Sequence, residues 1–286
     1  MKTSMKTGNY LLAAALAVFS LTACKKTNTA AALEEIETTF DISTKQAIAD
    51  NLTQDDNDIL DEVAASNDLS GNYTMGPIIV MDIIGSCAVI TISGNFPAKN
   101  IKIDFGAGCT NGAGVTRKGI INIVLTDSIR KTGSIATVTF NNYYINNFKK
   151  EGTITWTNTT VAGSNTPSWN RKVENGKISA PSGDFWLHTA NISITQTAGA
   201  NTPNNLTDDI FTISGTRTTS NAAGRSRTAT TITALQKKTA CSNIDKGQLQ
   251  VQGANHIAVI DFGDGSCDRL ATISIDGNTP RTILLR

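Results

Sequence analysis

Three aspartates in the C-terminal part of the chain have the types and spacing that suit cation binding. Asp261, Asp264 and Asp268 lie in one short segment that also contains Ser266. Carboxylate and hydroxyl oxygens are the ligands that calcium prefers in proteins. The spacing differs from that of an EF-hand loop, and an aspartate can instead accept a hydrogen bond from an amide two residues further on. Asp261, and Asp104 in a similar stretch, therefore each predict a tight turn, with a calcium site at Asp261, Asp264 and Asp268 as the alternative.

The two histidines limit the catalytic chemistry open to this chain. Neither His188 nor His256 has a serine or a carboxylate at a diagnostic spacing. The Gly-x-Ser-x-Gly elbow, the His-Glu-x-x-His motif and the phosphate-binding loop do not occur in the sequence. A catalytic pair of carboxylates is defined in space rather than in sequence, so a hydrolase is kept as the least favoured alternative. We predict no enzymatic activity, no catalytic residues and no cofactor.

The first 24 residues resemble the signal sequence of bacterial lipoproteins. An apolar stretch from Leu11 to Leu21 is shorter than the roughly 20 residues that span a bilayer. It ends in Leu21-Thr22-Ala23-Cys24, which resembles a lipobox. The resemblance implies cleavage before Cys24 and acylation of its sulfur and new amino group, which anchors a protein stably. Lys25 stands where an aspartate would signal inner-membrane retention, so an outer-membrane protein is implied, on either the periplasmic or the cell-surface side.

The other four cysteines belong to two similar stretches of sequence. Cys87 and Cys109 are 22 residues apart, and Cys241 and Cys267 are 26 residues apart. Each pair encloses strand-like sequence ending in Asp-Phe-Gly-x-Gly, so each is expected to flank one β-hairpin near its open end. Strand ends there are within disulfide reach, and export implies an oxidising compartment. We predict disulfides within each stretch, 87–109 and 241–267, rather than a metal site, since no Cys-x-x-Cys spacing occurs.

The duplicated Asp-Phe-Gly-x-Gly motif carries two resemblances. Residues 104–109, 116–119 and 261–268 resemble a group of Bacteroidetes lipoproteins of unknown function. That resemblance covers most of the mature chain, and it implies localisation and architecture but no activity. The motif is also similar to one in extracellular polycystic-kidney-type β-sandwich domains, although Ile103 and Ile260 stand where that family has tryptophan.

Charge is divided unevenly along a chain whose formal net charge is +1. Residues 33–68 contain eleven acids and one base, whereas residues 69–286 contain 13 acids and 20 bases. Acidic segments of this kind are usually solvated, and apolar residues three or four apart predict one or two short amphipathic helices. We therefore predict an acidic stalk over residues 24–68, in weak and salt-screened contact with the basic body. The near-neutral total gives no argument for nucleic-acid binding.

Residues 69–286 are predicted to form a single all-β domain. Threonine is frequent, and it alternates with apolar residues in segments such as 153–157. Such alternation is typical of an antiparallel sheet with one wet face. Many short segments separated by turns predict a large antiparallel meander, arranged as a sandwich or an open barrel. The predicted strands are Ala88–Ser93, Asn100–Phe105, Gly119–Thr126, Ile135–Tyr144, Glu151–Thr160, Lys177–Ala180, Asp184–Thr197, Asp209–Thr219, Thr228–Leu235, Gln248–Gln252, Ile257–Phe262, Ala271–Ile275 and Arg281–Leu284.

The predicted function is that of a lipid-anchored envelope protein that serves as a structural or glycan-binding module. The membrane, through Cys24, is the predicted partner, and no protein partner is specified. The alternative is a carrier that holds an apolar ligand in a curved sheet. The aromatic residues that either pack in the core or form a sugar-stacking surface are Trp156, Trp169, Trp186, Tyr143 and Tyr144. The basic residues that either are solvated at turns or form a rim for anionic glycans are Arg117, Lys118, Arg225 and Arg227.

Overall fold

The computed structural model describes residues 1, 22–69, 71, 82–95 and 97–285, with the side chains of the helix described from Ala30 onward. The predicted signal sequence therefore lies almost entirely outside the described residues. One long helix precedes fourteen strands, and a short 3-10 turn spans Leu206–Asp208. The elements are α1 (Thr22–Ser66), β1 (Val89–Ser93), β2 (Lys99–Asp104), β3 (Cys109–Thr110), β4 (Thr116–Leu125), β5 (Ile135–Ile145), β6 (Phe148–Asn158), β7 (Ser168–Ser179), β8 (Phe185–Ala198), β9 (Ile210–Asn221), β10 (Ser226–Lys238), β11 (Lys246–Gln252), β12 (Ile257–Asp264), β13 (Leu270–Ile275) and β14 (Arg281–Leu284).

The strands form one antiparallel sheet in which nearly every strand pairs with the next one along the chain. The order runs from β1 through β2 and β4 to β14, and the short β3 pairs with β4. Among the described residues β1 and β14 do not pair with each other, so the sheet is open. The predicted all-β antiparallel meander is confirmed, as an open sheet. All predicted strands are present, although β7 begins at Ser168 rather than Lys177 and β3 was not predicted.

Bulges bend the strands of this sheet. Every pairing from β4–β5 to β11–β12 contains a register shift. An extra residue in one strand bends it and increases the local twist. Gly152 of β6 sits at such a point with a φ of +117°, and a Cβ there would lie 2.7 Å from the backbone oxygen of Asn175. Repeated across neighbouring strands, these bends give the sheet a concave face.

Helix α1 fills that concave face. All residues from Ala49 to Leu60 are buried, so over about three helical turns every side of the helix is covered. Alternate strand residues face it, such as Leu249 and Val251 of β11. Residues of the helix and of the strands belong to one hydrophobic core.

The acidic segment is helical, as predicted, but its predicted solvation is wrong. It forms a single 45-residue helix rather than one or two short ones. Asp50, Asp55 and Asp58 are each at most 5% exposed. The physical reason is that basic side chains of the sheet neutralise these acids inside the protein, so the opposite charges of the two segments attract at close range. Residues 38–65 of this segment, mostly buried, thus lie at the centre of the domain rather than in a stalk outside it.

Candidate functional site

The predicted lipidation site lies at the start of α1. Cys24 is in the first turn of the helix, and its side chain lies outside the described part of the chain. The helix continues without interruption into the sheet and is buried from Thr38 onward, with some half-buried positions. Lipidation of Cys24 stays a prediction. Within the residues that the structure describes, no helix has the length and apolar character needed to cross a bilayer.

Three glutamates of α1 pair with arginines where the helix enters the sheet. The arginines come from the β9–β10 turn, from β10 and from β14. The pairs, with their N–O distances, are Glu34–Arg225 at 2.7 Å, Glu35–Arg227 at 3.0 Å and Glu37–Arg281 at 2.8 Å. The basic rim considered from sequence is therefore not an open cationic surface, because Arg225 and Arg227 bind the helix. Of the other two members of the rim, Arg117 is only 1% exposed, and the Lys118 Nζ lies 4.1 Å from the centre of the Tyr144 ring.

The two histidines have different environments. The His256 Nδ1 lies 2.6 Å from the Asp276 Oδ2, and its Nε2 lies 3.5 Å from the Glu35 Oε2, so it bridges the β13–β14 turn and α1. His188 is buried on β8, and neither ring nitrogen has a hydrogen-bond partner among the described residues. Burial, reinforced by the Lys150 ammonium, lowers the pKa of His188 to about 4, so its imidazole is neutral near pH 7.

The predicted disulfides are present, each across a hairpin. Cys87 and Cys109 flank the β1–β2 hairpin with a Cα–Cα distance of 5.6 Å. Cys241 and Cys267 flank the β11–β12 hairpin at 5.1 Å. The first hairpin forms one edge of the sheet, whereas β13 and β14 separate the second from the other edge. The described residues bring Asp245 close to Cys241 and Cys267, but both sulfurs are used in the disulfide and are not free to ligate a metal.

The Asp-Phe-Gly-x-Gly motif forms the predicted turn in both copies. The Asp104 Oδ1 accepts a hydrogen bond from the Gly106 amide at 3.0 Å, and the Asp261 Oδ1 accepts one from the Gly263 amide at 2.9 Å. This agrees with the interpretation of the motif as a turn that leaves a strand.

The structure does not assemble the three aspartates of the candidate calcium site into one ligand set. Each carboxylate caps its own stretch of backbone instead. Asp264 accepts from the amide and hydroxyl of Ser266, and Asp268 accepts from the amide of Leu270. Asp261 also accepts from the Gln248 side chain at 2.7 Å. Among the described residues, these three do not form a close carboxylate cluster.

A belt of charged residues surrounds the buried part of α1. Strands β4, β6, β7, β9 and β10 each direct one cationic side chain inward to a polar group of the helix. We call this set the charged belt. Its pairs are Arg117–Asp55, Lys150–Asp56, Arg171–Gln54, Arg217–Asp50 and Lys237–Asp58. The Arg117 guanidinium binds both carboxylate oxygens of Asp55, with Nη2 at 2.7 Å from Oδ1 and Nε at 3.2 Å from Oδ2.

Burial shifts the pKa of three members of the charged belt toward the uncharged form. It raises the pKa of Asp56 to about 6 against the opposing effect of the Lys150 ammonium. It lowers the pKa of Lys150, although Asp56 acts in the other direction. It also lowers the pKa of Arg171 to about 10. Charges removed from water in this way are retained only when partners supply opposite charge and hydrogen bonds. The belt therefore locks the helix into the sheet.

Sequence reasoning missed the charged belt, although a signal for it exists. Arg171 lies between Trp169 and Val173 on the inward face of β7, where an uncompensated charge would be costly. A cation at an apolar-face position requires a buried partner. The acid-rich segment before the strands is the one stretch that has enough carboxylates to supply such partners.

Two cavities lie in the interior formed by the described residues, and both are small. A cavity of about 10 Å³ lies beside Asp61, Trp156 and Trp169, and one of about 50 Å³ lies beside Arg117 and Cys241. Pockets for small molecules usually measure about 300–1,000 Å³. These two cavities are far smaller, because α1 occupies the space that a carrier would offer to its ligand.

The large aromatic residues pack in the core rather than on a sugar-stacking surface. Trp156, Trp169, Trp186 and Tyr143 are all at most 8% exposed. Tyr144 is half-buried, with the Lys118 Nζ 4.1 Å above its ring centre. The outward face is hydroxyl-rich instead, with the cross-strand threonine pairs Thr137–Thr155, Thr139–Thr153, Thr216–Thr230 and Thr218–Thr228. The sheet thus has the predicted apolar inner face and polar outer face.

Comparisons with known proteins add no relative to this description. Protein-family models, curated proteins and solved structures were compared with the chain, and none matches it. Any functional conclusion therefore depends on the residues and contacts described above.

Proposed function

We propose that the chain is a non-catalytic envelope protein, attached to the outer membrane by lipid on Cys24, that serves as a structural or glycan-binding module. The observation that supports this most directly is the course of α1. The helix contains Cys24 in its first turn and becomes the buried centre of the sheet from Thr38 onward. Lipid on Cys24 would therefore hold the domain by its core, without a flexible tether between anchor and body.

Two further observations support a non-catalytic role. The most concentrated ionisable groups, those of the charged belt, face one another across a packed interior and offer no open cleft to a substrate. The carboxylates that flank His256 are bound to backbone amides and to Arg227. These groups act as structural contacts between α1 and the sheet.

The outer face supports the glycan-binding part of the proposal. Hydroxyl groups of facing threonines repeat across β5–β6 and β9–β10. Neighbouring strands are about 4.8 Å apart, so these hydroxyls form a regular polar lattice. Such a surface can hydrogen-bond a polar polymer but offers little to an apolar ligand.

Mass spectrometry of membrane fractions tests the anchor. The outer-membrane fraction should contain a chain that begins at acylated Cys24, whereas Cys24→Ser should leave the chain unacylated and absent from that fraction. The substitution lies before the buried part of α1, so the fold should be unchanged. An unmodified, soluble N-terminus in the natural chain would contradict the proposal.

Binding to a panel of neutral and anionic polysaccharides tests the ligand. The double variant Thr155→Glu/Thr216→Glu changes two outward positions and should weaken binding at least tenfold, whereas Asn165→Glu in the β6–β7 loop should not. Absence of binding to the whole panel would contradict the glycan-binding role and favour the structural one.

A further inference from the structure

Lys150 of β6 and Asp56 of α1 form one of the two buried lysine–carboxylate pairs of the charged belt. Their side chains are 3% and 1% exposed, and the Lys150 Nζ contacts the Asp56 Oδ2. The same Nζ donates to the Leu52 carbonyl oxygen at 2.6 Å. The ring of Phe140 lies 5.1 Å from the Nζ, which keeps one side of the amine away from water.

Burial shifts both groups toward their uncharged forms. The Asp56 Oδ1 has no hydrogen-bond partner among the described residues, although it is buried. An ion pair that is removed from water without full hydrogen bonding is costly. Burial raises the pKa of Asp56 to about 6 and lowers the pKa of Lys150. Because the Nζ contacts the Asp56 Oδ2, one proton transfer between them converts the ion pair into a neutral amine beside a neutral carboxylic acid.

We propose that Lys150 and Asp56 condense into an intramolecular isopeptide bond. The Nζ attacks the Asp56 Cγ, and a new C–N bond forms. The C–O bond to the leaving hydroxyl breaks, and that hydroxyl departs as water with a proton from the Nζ. The ammonium and carboxylate together supply all atoms of the amide and of the water, so no oxidant, reductant or co-reactant is required. Condensation also removes two charges from the interior.

The other belt pairs are less suited to this reaction. Guanidinium groups stay protonated in proteins and do not serve as amine nucleophiles, which excludes Arg117, Arg171 and Arg217. Lys237 lies 2.7 Å from the Asp58 Oδ2 and is itself fully buried, but its carboxylate partner is 6% exposed compared with 1% for Asp56. No cation–π contact covers the Lys237 amine among the described residues. Lys237 therefore provides a matched control.

The bond would join α1 to β6 across a sequence separation of 94 residues. The disulfides join segments within the sheet or its loops, so neither of them links α1 to a strand. An isopeptide at Asp56 would make the helix and the sheet one covalent unit, and tension applied at the start of α1 would reach β6 through covalent bonds. This inference goes beyond the proposed function and does not depend on lipid at Cys24.

Peptide mapping of the purified full-length protein tests the proposal. After reduction and proteolysis, tandem mass spectrometry should find a branched peptide that joins Lys150 to Asp56 and is lighter by one water than its two parts. The Lys150→Arg variant keeps the cation but should give only linear peptides, whereas Lys237→Arg should keep the branched one. Recovery of Lys150 and Asp56 only in linear peptides of the natural chain would overturn the proposal. A branch at Lys237 instead of Lys150 would do the same, and both results can be read from the natural chain even if Lys150→Arg fails to fold.

Discussion

The Arg217 Nε donates to the Asp50 Oδ1 over 2.8 Å, and both side chains are at most 4% exposed. These residues are 167 positions apart, yet they lie at the centre of the domain. Arg217 also donates to the Thr231 hydroxyl at 2.9 Å, so one guanidinium connects α1, β9 and β10. Contacts of this kind join the acidic helix to the basic sheet.

Replacing only one member of the Asp50–Arg217 pair should lower the free energy of unfolding more than replacing both members. Arg217→Met leaves Asp50 buried without its cation and is expected to lower the free energy of unfolding by about 3–5 kcal/mol. The double variant Asp50→Asn/Arg217→Met should be clearly more stable than Arg217→Met alone, because no uncompensated charge stays buried. Urea unfolding of the natural chain and the single and double variants would measure this, and additive losses would contradict it.

Stability should decrease as pH rises toward 8. Burial, partly opposed by Arg130, raises the pKa of Asp61 to about 8, and burial raises the pKa of Asp209 to about 7. At pH values between the pKa of the unfolded state and the higher pKa of the folded state, each carboxyl is protonated more fully in the native protein. Unfolding therefore releases protons, and a rise in pH favours unfolding. Asp61→Asn stays neutral, so its advantage over the natural chain should grow from pH 5 to pH 9.

Asp104→Asn is the control for this pH dependence. Asp104 is on the protein surface, and the Lys102 side chain and the Gly106 amide lower its pKa. The effect of Asp104 on stability therefore has the opposite pH dependence. A lowered pKa stabilises the native state at pH values above the ordinary pKa of an aspartate, and this stabilisation is lost as the pH falls. Urea midpoints at several pH values would separate the two variants, and a pH-independent effect of Asp61→Asn would contradict the prediction.

Each disulfide should stabilise the domain to a similar extent. Loops of 22 and 26 residues correspond to about 3–4 kcal/mol each in the chain-entropy description. Replacing both cysteines of one pair by serine should lower the free energy of unfolding by that amount, whichever pair is chosen. Chemical denaturation of the two double variants would measure it. A loss for only one of them would show that one hairpin is held by other contacts.

Gly152 should be required at its bulge. Gly152→Ala places a Cβ 2.7 Å from a backbone oxygen at a φ of +117°, whereas Gly163→Ala has a similarly positive φ of +81° but no atom within 4 Å. Gly163→Ala should cost about 1–2 kcal/mol for the backbone conformation alone. Gly152→Ala should cost at least about 2 kcal/mol more because a fixed backbone atom must move. Equal thermal shifts for the two variants would disprove the steric argument.

Local patterns predicted the parts of this protein that depend on neighbouring residues. The two hairpin disulfides and the Asp104 turn were predictable because their partners lie close in sequence. The alternation of apolar and polar residues also predicted the open antiparallel meander. The burial of α1 was not predictable from helix periodicity, because the helix is covered on all sides rather than on one apolar face. Its acids looked solvated because their basic partners, such as Lys150, lie far along the chain.

The calcium hypothesis shows that closeness in sequence does not by itself predict a shared ligand site. Asp261, Asp264 and Asp268 are close in sequence, but each carboxylate is committed to a nearby amide. Sequence spacing placed them together, whereas the turn geometry points them at different backbone atoms. Proximity along the chain was therefore sufficient for the turns but not for a shared ligand site.

The strand order also has a consequence for the order in which contacts become available during synthesis. Helix α1 precedes all the strands, and each strand from β4 to β14 finds its pairing partner immediately before it in the chain. The residues of α1 are thus synthesised before every strand, and each belt strand supplies one partner for a polar group of the helix as it is added. Synthesis that stops before β10 would leave Asp58 without the Lys237 ammonium. A truncated domain would therefore contain an uncompensated carboxylate in its interior and not only an unpaired strand at the edge of the sheet.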